Sequence, residues 1–287
     1  MKISTEIYSA ARQIGEEKTI ELYAKAGFDA YDLSMFPMCG YDWGKGRFYE
    51  STHPFAGKDY LAYVRNLRHI GAECGIHCNQ SHAPFPVTCK EIRSYLKRAI
   101  ECTAEAGGEI CVVHPDNNKS PAENAEMYLE LLPFAKDHGV KIACENMWNW
   151  NSAKKCSSFA ACATAESFNA HLDAVNDDYL VACLDIGHAE MKGSGEGAAL
   201  MIRALGKRLA ALHIHDNDLL HDSHQIPFSM SIDFEEVVLA LRQIGYKGYF
   251  TLEADSYLNK YNADNIFEGM KALAESAKRL AQMYEER

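Results

Sequence analysis

Short apolar runs alternate with amphipathic stretches along the chain, and the later runs end on polar side chains able to do chemistry. The clearest runs are EICVVHP (109–115), KIACENM (141–147), YLVACLDIGH (179–188), LAALHIHD (209–216) and GYFTLEAD (248–255). Weaker runs of the same kind are KISTEI (2–7), AYDLSM (30–35) and IHCNQSHAP (76–84). Near-continuous apolar character over so few residues predicts strands buried on both faces, as in a parallel sheet. Between them, helical periodicity predicts helices over 16–27, 58–75, 90–108 and 120–139. Further helices are predicted near 158–175, near 196–206, and over 234–245 and 263–287. Gly27 is a natural stop for the first helix, and Ser120–Pro121 supplies a cap followed by proline at the first helical position of the fourth.

Eight strand-then-helix units predict a (β/α)8 barrel of the TIM type, one domain spanning 1–287. Dividing 287 by eight gives about 36 residues per repeat, comfortable for one βα unit. A doubly wound open sheet would want a glycine-rich phosphate loop after the first strand, and none is present. Two connections are longer than the rest. Residues 36–57 are rich in glycine, proline and aromatics, and residues 216–232 are polar and histidine-rich. Both follow strands, which places them at the C-terminal face, where long loops cover or contact ligands.

The formal net charge of −11, from 29 Lys and Arg against 40 Asp and Glu, argues against nucleic acid or an anionic membrane as partner. No stretch approaches the roughly 20 apolar residues that span a bilayer. The N-terminus carries no apolar secretory core. Ten cysteines without a C-x-x-C pair, several inside apolar runs, read as reduced thiols. A cytoplasmic protein is expected, and a homo-oligomer is compatible with all of this.

Six successive predicted strands end on His82, His114, Glu145, Asp185, His213 and Glu253. One such residue would be an ordinary hydrogen-bonded group of a barrel mouth. Six converging carboxylates and imidazoles need a shared counter-charge, because unpaired buried charges are costly. A divalent metal supplies it. Mixed Glu, Asp and His ligation suits Mn²⁺ first, with Co²⁺, Mg²⁺ or Zn²⁺ also fitting. Glu145 and Glu253 would flank whatever binds there, an arrangement suited to acid/base work on two faces of a substrate. Trp148 and Trp150, among Asn149 and Asn151, together with Tyr41, Trp43 and Phe48, offer aromatic faces beside amides, as a sugar ring requires; they serve equally as loop anchors. Lys45 and Arg47 read as a phosphate contact or as solvated charges.

The segments SHAPF, VVHP, ACENM, CLDIGHAEM, LHIHDND and FTLEAD resemble the xylose isomerase-like barrel superfamily. The resemblance covers roughly residues 76–255 and, more loosely, the whole chain. It implies a sugar or sugar phosphate isomerase or epimerase of the ketose 3-epimerase type, acting by proton transfer through an enediolate. It further implies a metal quartet of Glu145, Asp185, His213 and Glu253, with the two glutamates exchanging the proton and His188 contacting substrate oxygens. His82, His114, Trp148 and His215 are expected as further substrate contacts. His213 and His215 lie on the same side of one strand, and Asp216, three residues beyond His213, selects His213 as the family's metal ligand. Endonuclease IV, in the same superfamily, binds three zincs through nine ligands. The matching residues here are His82, His114, Glu145, Asp185, His188, His213, Asp222, His224 and Glu253. A trinuclear phosphodiesterase, with Asp222 and His224 as additional metal ligands, is therefore the alternative. A related carbohydrate dehydratase or lyase and a sugar-binding barrel without catalysis complete the field.

Overall fold

The structure is a computed structural model that describes residues 1–286; Arg287, the last residue of the expected closing helix, lies outside the described residues. Eight parallel strands form a closed ring: β1 (Ile3–Thr5), β2 (Ala30–Ser34), β3 (His77–His82), β4 (Ile110–Val112), β5 (Lys141–Glu145), β6 (Leu180–Asp185), β7 (Leu209–His213) and β8 (Phe250–Leu252). Strands β2 to β7 make one continuous parallel sheet, and β1 pairs with β8. Bridges between Glu6 and Asp32 and between Ile214 and Leu252 join the two sheets and close the barrel.

A helix follows every strand, and most boundaries fall where turn chemistry placed them. Gly27, Gly75 and Gly107 end helices Glu16–Ala26, Tyr60–Cys74 and Ile92–Ala106 in the left-handed conformation that glycine adopts without a Cβ penalty. Helix Pro121–Asp137 opens with a complete Ser120–Glu123 capping box and proline in its first turn. The later outer helices are Ala165–Val175, Ala198–Leu205, Phe234–Gln243 and Ile266–Glu285.

The two sides of each strand face different surroundings. On β5, Ile142 and Cys144 join the large core between strands and helices, while Ala143 packs inside the ring with Val112, Val181, Cys183 and Ala211. Glu145, Asp185 and His213 have the same parity as Ala143, Cys183 and Ala211, so they also point inward. The opposite half of the lumen is polar. Ser4 donates to Asn79, which reaches Thr251, and Gln80 donates to Asp32 (2.8 Å).

Several elements differ from the sequence expectation. The run 179–188 is a strand only to Asp185; Ile186–Glu190 is a short helix that carries His188. Strand β4 spans three residues, so His114 lies in the loop beyond it. Helix Tyr8–Ile14 was not expected. Two antiparallel hairpins, Cys39–Asp42 with Arg47–Glu50 and Asn149–Asn151 with Cys156–Ser158, occupy segments expected as loops or as the start of a helix. Each is short and rises from the C-terminal face, where its pairing is local and leaves little long-range pattern.

Candidate metal centre and cavity

A cavity of about 540 Å³ opens at the C-terminal end of the barrel. Its floor holds Glu145, His188 and Glu253, and its walls carry Trp43, Phe85, Trp148, Asn117 and Asn149. Asp116, Asp222 and Asp255 also line it, and among the described residues no Lys or Arg does.

Ligand atoms of Glu145, Asp185, His213 and Glu253 all lie within 4.8 Å of one another. His213 Nδ1 is 2.7 Å from Glu145 Oε1 and 3.4 Å from Glu253 Oε2. His82 and His114 approach Glu145 from the other side, their Nε2 atoms 3.4 and 3.0 Å from Oε2. A second group surrounds Asp222 Oδ1, which lies 3.4 Å from His188 Nε2, 3.4 Å from His215 Nε2 and 3.1 Å from His224 Nε2. Asp185 Oδ1, 3.2 Å from His215 Nε2, links the two groups.

The residues expected as ligands or substrate contacts, from His82 and His114 to His224 and Glu253, come to this one place, whereas Tyr41, Arg47, Phe48 and Trp150 do not line the cavity. Trp148 lies against it, its indole N–H donating to Asp222 Oδ2 (3.2 Å). His215, expected as a substrate contact, is instead fully buried beneath the cavity and stacked on His224 at 4.0 Å. Its ring faces carboxylates, because two residues beyond His213 the chain already turns inward under the 216–232 loop. Asp216 holds that loop, accepting from the backbone N–H groups of Asn217, Met230, Ser231 and Ile232. Lys45 lies outside the cavity, paired with Asp42 on the exposed hairpin.

The histidines are oriented by their outer nitrogens. Nδ1 of His82, His188 and His224 donates to the carbonyls of Ala83, Asn146 and Glu253 at 2.9, 2.9 and 2.7 Å. That leaves each Nε2 aimed at a carboxylate, the usual way a ligating imidazole is held. Asn146 also clamps Asp185, accepting from its N–H (2.7 Å) and donating to its carbonyl (2.9 Å). Sequence reasoning passed over Asn146 and Asp32. The ACEN motif carries the first, and β2 alone hints at the second through its single acid within AYDLS.

Protons now balance the buried carboxylates. Burial pushes His188 down, but Asp185 and Asp222 outweigh it and lift it to about 10. Burial, reinforced by the neighbouring His82, pushes His114 down to about 4, against the pull of Glu145. Burial raises Glu145, yet His213, His114 and His82 hold it well below the usual carboxylate range. Glu253 goes the other way, raised by burial, with His213 opposing and Glu145 adding to the rise.

The residues fit a divalent cation on an independent observation. Among the described residues, Glu145 Oε2, Asp185 Oδ2, Asp222 Oδ1 and His215 Nε2 are buried without an aligned hydrogen bond, although imidazole or carboxylate atoms stand 3.0–3.2 Å from three of them, and buried polar groups ordinarily have one. Donors held at about 2.1 Å around one ion lie roughly 3.0–3.5 Å apart; the quartet's atoms lie within 4.8 Å of one another, with His213 Nδ1 at 2.7 and 3.4 Å from the two glutamates. A cation held by the quartet would take the place of the Nδ1 proton of His213 and give the Glu145 and Asp185 carboxylates a counter-charge.

Comparisons place this chain and its fold among known proteins. The family model described as xylose isomerase-like TIM barrel matches residues 20–282. An uncharacterised protein of Methanocaldococcus jannaschii is 27% identical over 260 residues, covering 82% of this chain and 78% of that one. Among solved structures, a D-tagatose 3-epimerase-like protein superposes with a TM-score of 0.74 at 23% identity, covering 100% and 99% of the two chains. An L-ribulose 3-epimerase gives 0.72 at 18% identity, covering 100% and 95%. With the family model spanning nearly all of the barrel, this chain belongs to the xylose isomerase-like TIM barrel family.

Proposed function

We propose that this protein is a sugar isomerase or epimerase that moves a proton between its own glutamates and a carbon next to a carbonyl. The observation that carries the reading is the convergence of Glu145, Asp185, His213 and Glu253, from four different strands, on the floor of a cavity walled by aromatics and amides. The epimerase names borne by the structural neighbours support the same reading.

In this reading the quartet holds a divalent metal, Mn²⁺ by preference, which would polarise the substrate carbonyl and offset charge developing on its oxygen. Glu145 and Glu253 stand on β5 and at the end of β8, three strands apart around the ring, and address the reacting carbon from two sides. One carboxylate removes the proton α to the carbonyl, giving an enediolate. The other returns it. Return to the opposite face of the same carbon inverts that centre, and return to the former carbonyl carbon, with the hydroxyl proton passing from one oxygen to the other, isomerises the sugar. His188, lining the cavity, hydrogen-bonds a substrate oxygen, and Trp148 packs against the sugar's C–H face. Ten free cysteines fit a reducing compartment, which supports a cytoplasmic location. Among the described residues no helix is long and apolar enough to cross a membrane.

Solvent deuterium is the test. A panel of free and phosphorylated ketoses and aldoses is incubated in D₂O with metal-loaded protein, and deuterium is sought at the α carbon. Glu145→Gln and Glu253→Gln should each lower kcat/KM by about 10²–10⁴-fold. Product formed with deuterium wholly excluded would indicate a hydride shift and remove the glutamates from the proposed roles. Sugar binding with neither exchange nor product would favour a non-catalytic sugar receptor.

A second reading has its own observation. The groups His82–His114–Glu145, Glu145–Asp185–His213–Glu253 and His188–His215–Asp222–His224 hold all nine residues of a trinuclear phosphodiesterase set. Among the described residues the cavity lining has no Lys or Arg to meet a nucleic-acid backbone, and phosphate contacts supply a large share of the affinity of nucleic-acid-binding proteins. Sugar chemistry is therefore the better supported. Elemental analysis separates the two: one equivalent of metal favours the isomerase, and three equivalents of zinc with phosphodiesterase activity favour the other.

A further inference from the structure

We propose that Asp32 is the positioning residue that makes His213 a ligand through Nδ1. This rests on the metal reading above and concerns a residue outside the ligand set. His213 is turned the opposite way from its neighbours. His82, His188 and His224 spend Nδ1 on a nearby backbone carbonyl and present Nε2. His213 presents Nδ1 to Glu145 and Glu253. Its Nε2 points the other way, away from the two glutamates and toward β2.

What meets it there is a carboxylate. Asp32 Oδ2, on β2, lies 3.2 Å from His213 Nε2. The same oxygen accepts from Gln80 Nε2 at 2.8 Å, which fixes its place. Gln80 is itself held by Thr251, which donates to its Oε1. Asp32 and His213 are 1% and 0% exposed, so water does not compete. A carboxylate oxygen can only accept, so Nε2 carries a proton toward Asp32; the proton on Nδ1, facing Glu145 Oε1 at 2.7 Å, is the one a cation would displace, leaving the Nδ1 lone pair to the quartet. Asp32 Oδ1 has no partner. A buried carboxylate with so few donors is expensive on packing grounds alone. A cation on the far side of the imidazole ring compensates it, because metal binding makes the Nε2–H a stronger donor. Carboxylate–histidine–metal triads work in this way, and losing the outer partner typically costs 10–100-fold in metal affinity.

The experiment titrates full-length metal-free protein with Zn²⁺, for wild type, Asp32→Asn and Asp32→Ala. Histidine ¹⁵N spectra of the zinc-loaded proteins identify the coordinating nitrogen of His213. The wild type should coordinate through Nδ1. Asp32→Ala should bind Zn²⁺ about 100-fold more weakly, and Asp32→Asn, which keeps an oxygen where Oδ2 stands, about 10-fold more weakly with Nδ1 coordination retained. Should the alanine variant not fold, the asparagine variant carries the test, its thermal unfolding in the metal-free state serving as the control for a purely structural effect. Zn²⁺ affinity in the folded variants within threefold of wild type overturns the inference, as does coordination through Nε2 in the wild type. A wild type that takes up no Zn²⁺ overturns the metal reading and this inference together. Normal uptake with unaffected variants overturns this inference alone.

Discussion

Glu6 gives a quantitative test of how the barrel mouth handles buried charge. It follows β1, is 4% exposed, and receives the backbone N–H of Ser9 at 3.0 Å as well as the Ser9 hydroxyl. Burial, followed by the nearby Asp255, lifts its pKa from 4.5 to about 8. Between those values the folded protein keeps a proton that the unfolded chain has released. Stability therefore falls as pH rises through that window, since the native state binds more protons there. Each unit is worth about 1.4 kcal/mol, so a shift of about 3.5 units (8 − 4.5) amounts to roughly 5 kcal/mol. Glu6→Gln keeps the side chain's shape and a donor toward Ser9 but removes the titration. The stability of the variant relative to wild type should rise by about 3 kcal/mol from pH 5.5 to 7.5, two units of the window, and level off above about pH 8. Urea unfolding followed by tryptophan fluorescence at four pH values measures the gap. A gap independent of pH, or one that widens as pH falls, refutes the reasoning.

Three further outcomes are expected. A Cβ on Gly187 would lie 1.9 Å from His215 Cε1, so Gly187→Ala should displace His215 from Asp185 Oδ1, 3.2 Å away, and weaken metal uptake by the quartet about tenfold; unchanged affinity on metal titration would count against that link. Mn²⁺ at 1,000 times its dissociation constant should stabilise the fold by about 4 kcal/mol, read as a rise in Tm that a chelator reverses, whereas a Tm indifferent to Mn²⁺ and Zn²⁺ alike would argue against a metal site. Ser120→Ala removes the capping box of helix Pro121–Asp137 and should cost about 1 kcal/mol in urea unfolding without altering activity.

Much of the site was legible because a parallel barrel converts sequence order into spatial convergence. Residues at the C-terminal ends of buried strands meet at one face wherever the intervening helices lie. His82, Glu145, Asp185, His213 and Glu253 could therefore be read as neighbours although 28 to 63 residues separate successive members. The hairpins at Cys39–Asp42 and Asn149–Asn151 were not legible, since pairs of three or four residues leave too short an alternation to stand above loop composition. Helix Ile186–Glu190 was hidden because the apolar run of β6 continues into it without a break. Its start is set by Asp185, whose side chain accepts from the His188 N–H.

The sequence by itself determined the repeating strand–helix alternation, the helix stops at Gly27, Gly75 and Gly107, and the identity of the polar residues that end the strands. These follow from local rules: apolar period, glycine conformation and capping. Only the tertiary structure decided which nitrogen of each histidine faces the site, that His215 is buried against Asp185 and Asp222 rather than open to the cavity, and that Asp32 stands behind His213. Those outcomes depend on which group from another strand lies within about 3 Å of a given atom, and hydrogen bonding is that short-ranged. The ring's closure and the register between its strands set such distances, and no local pattern in the chain encodes them.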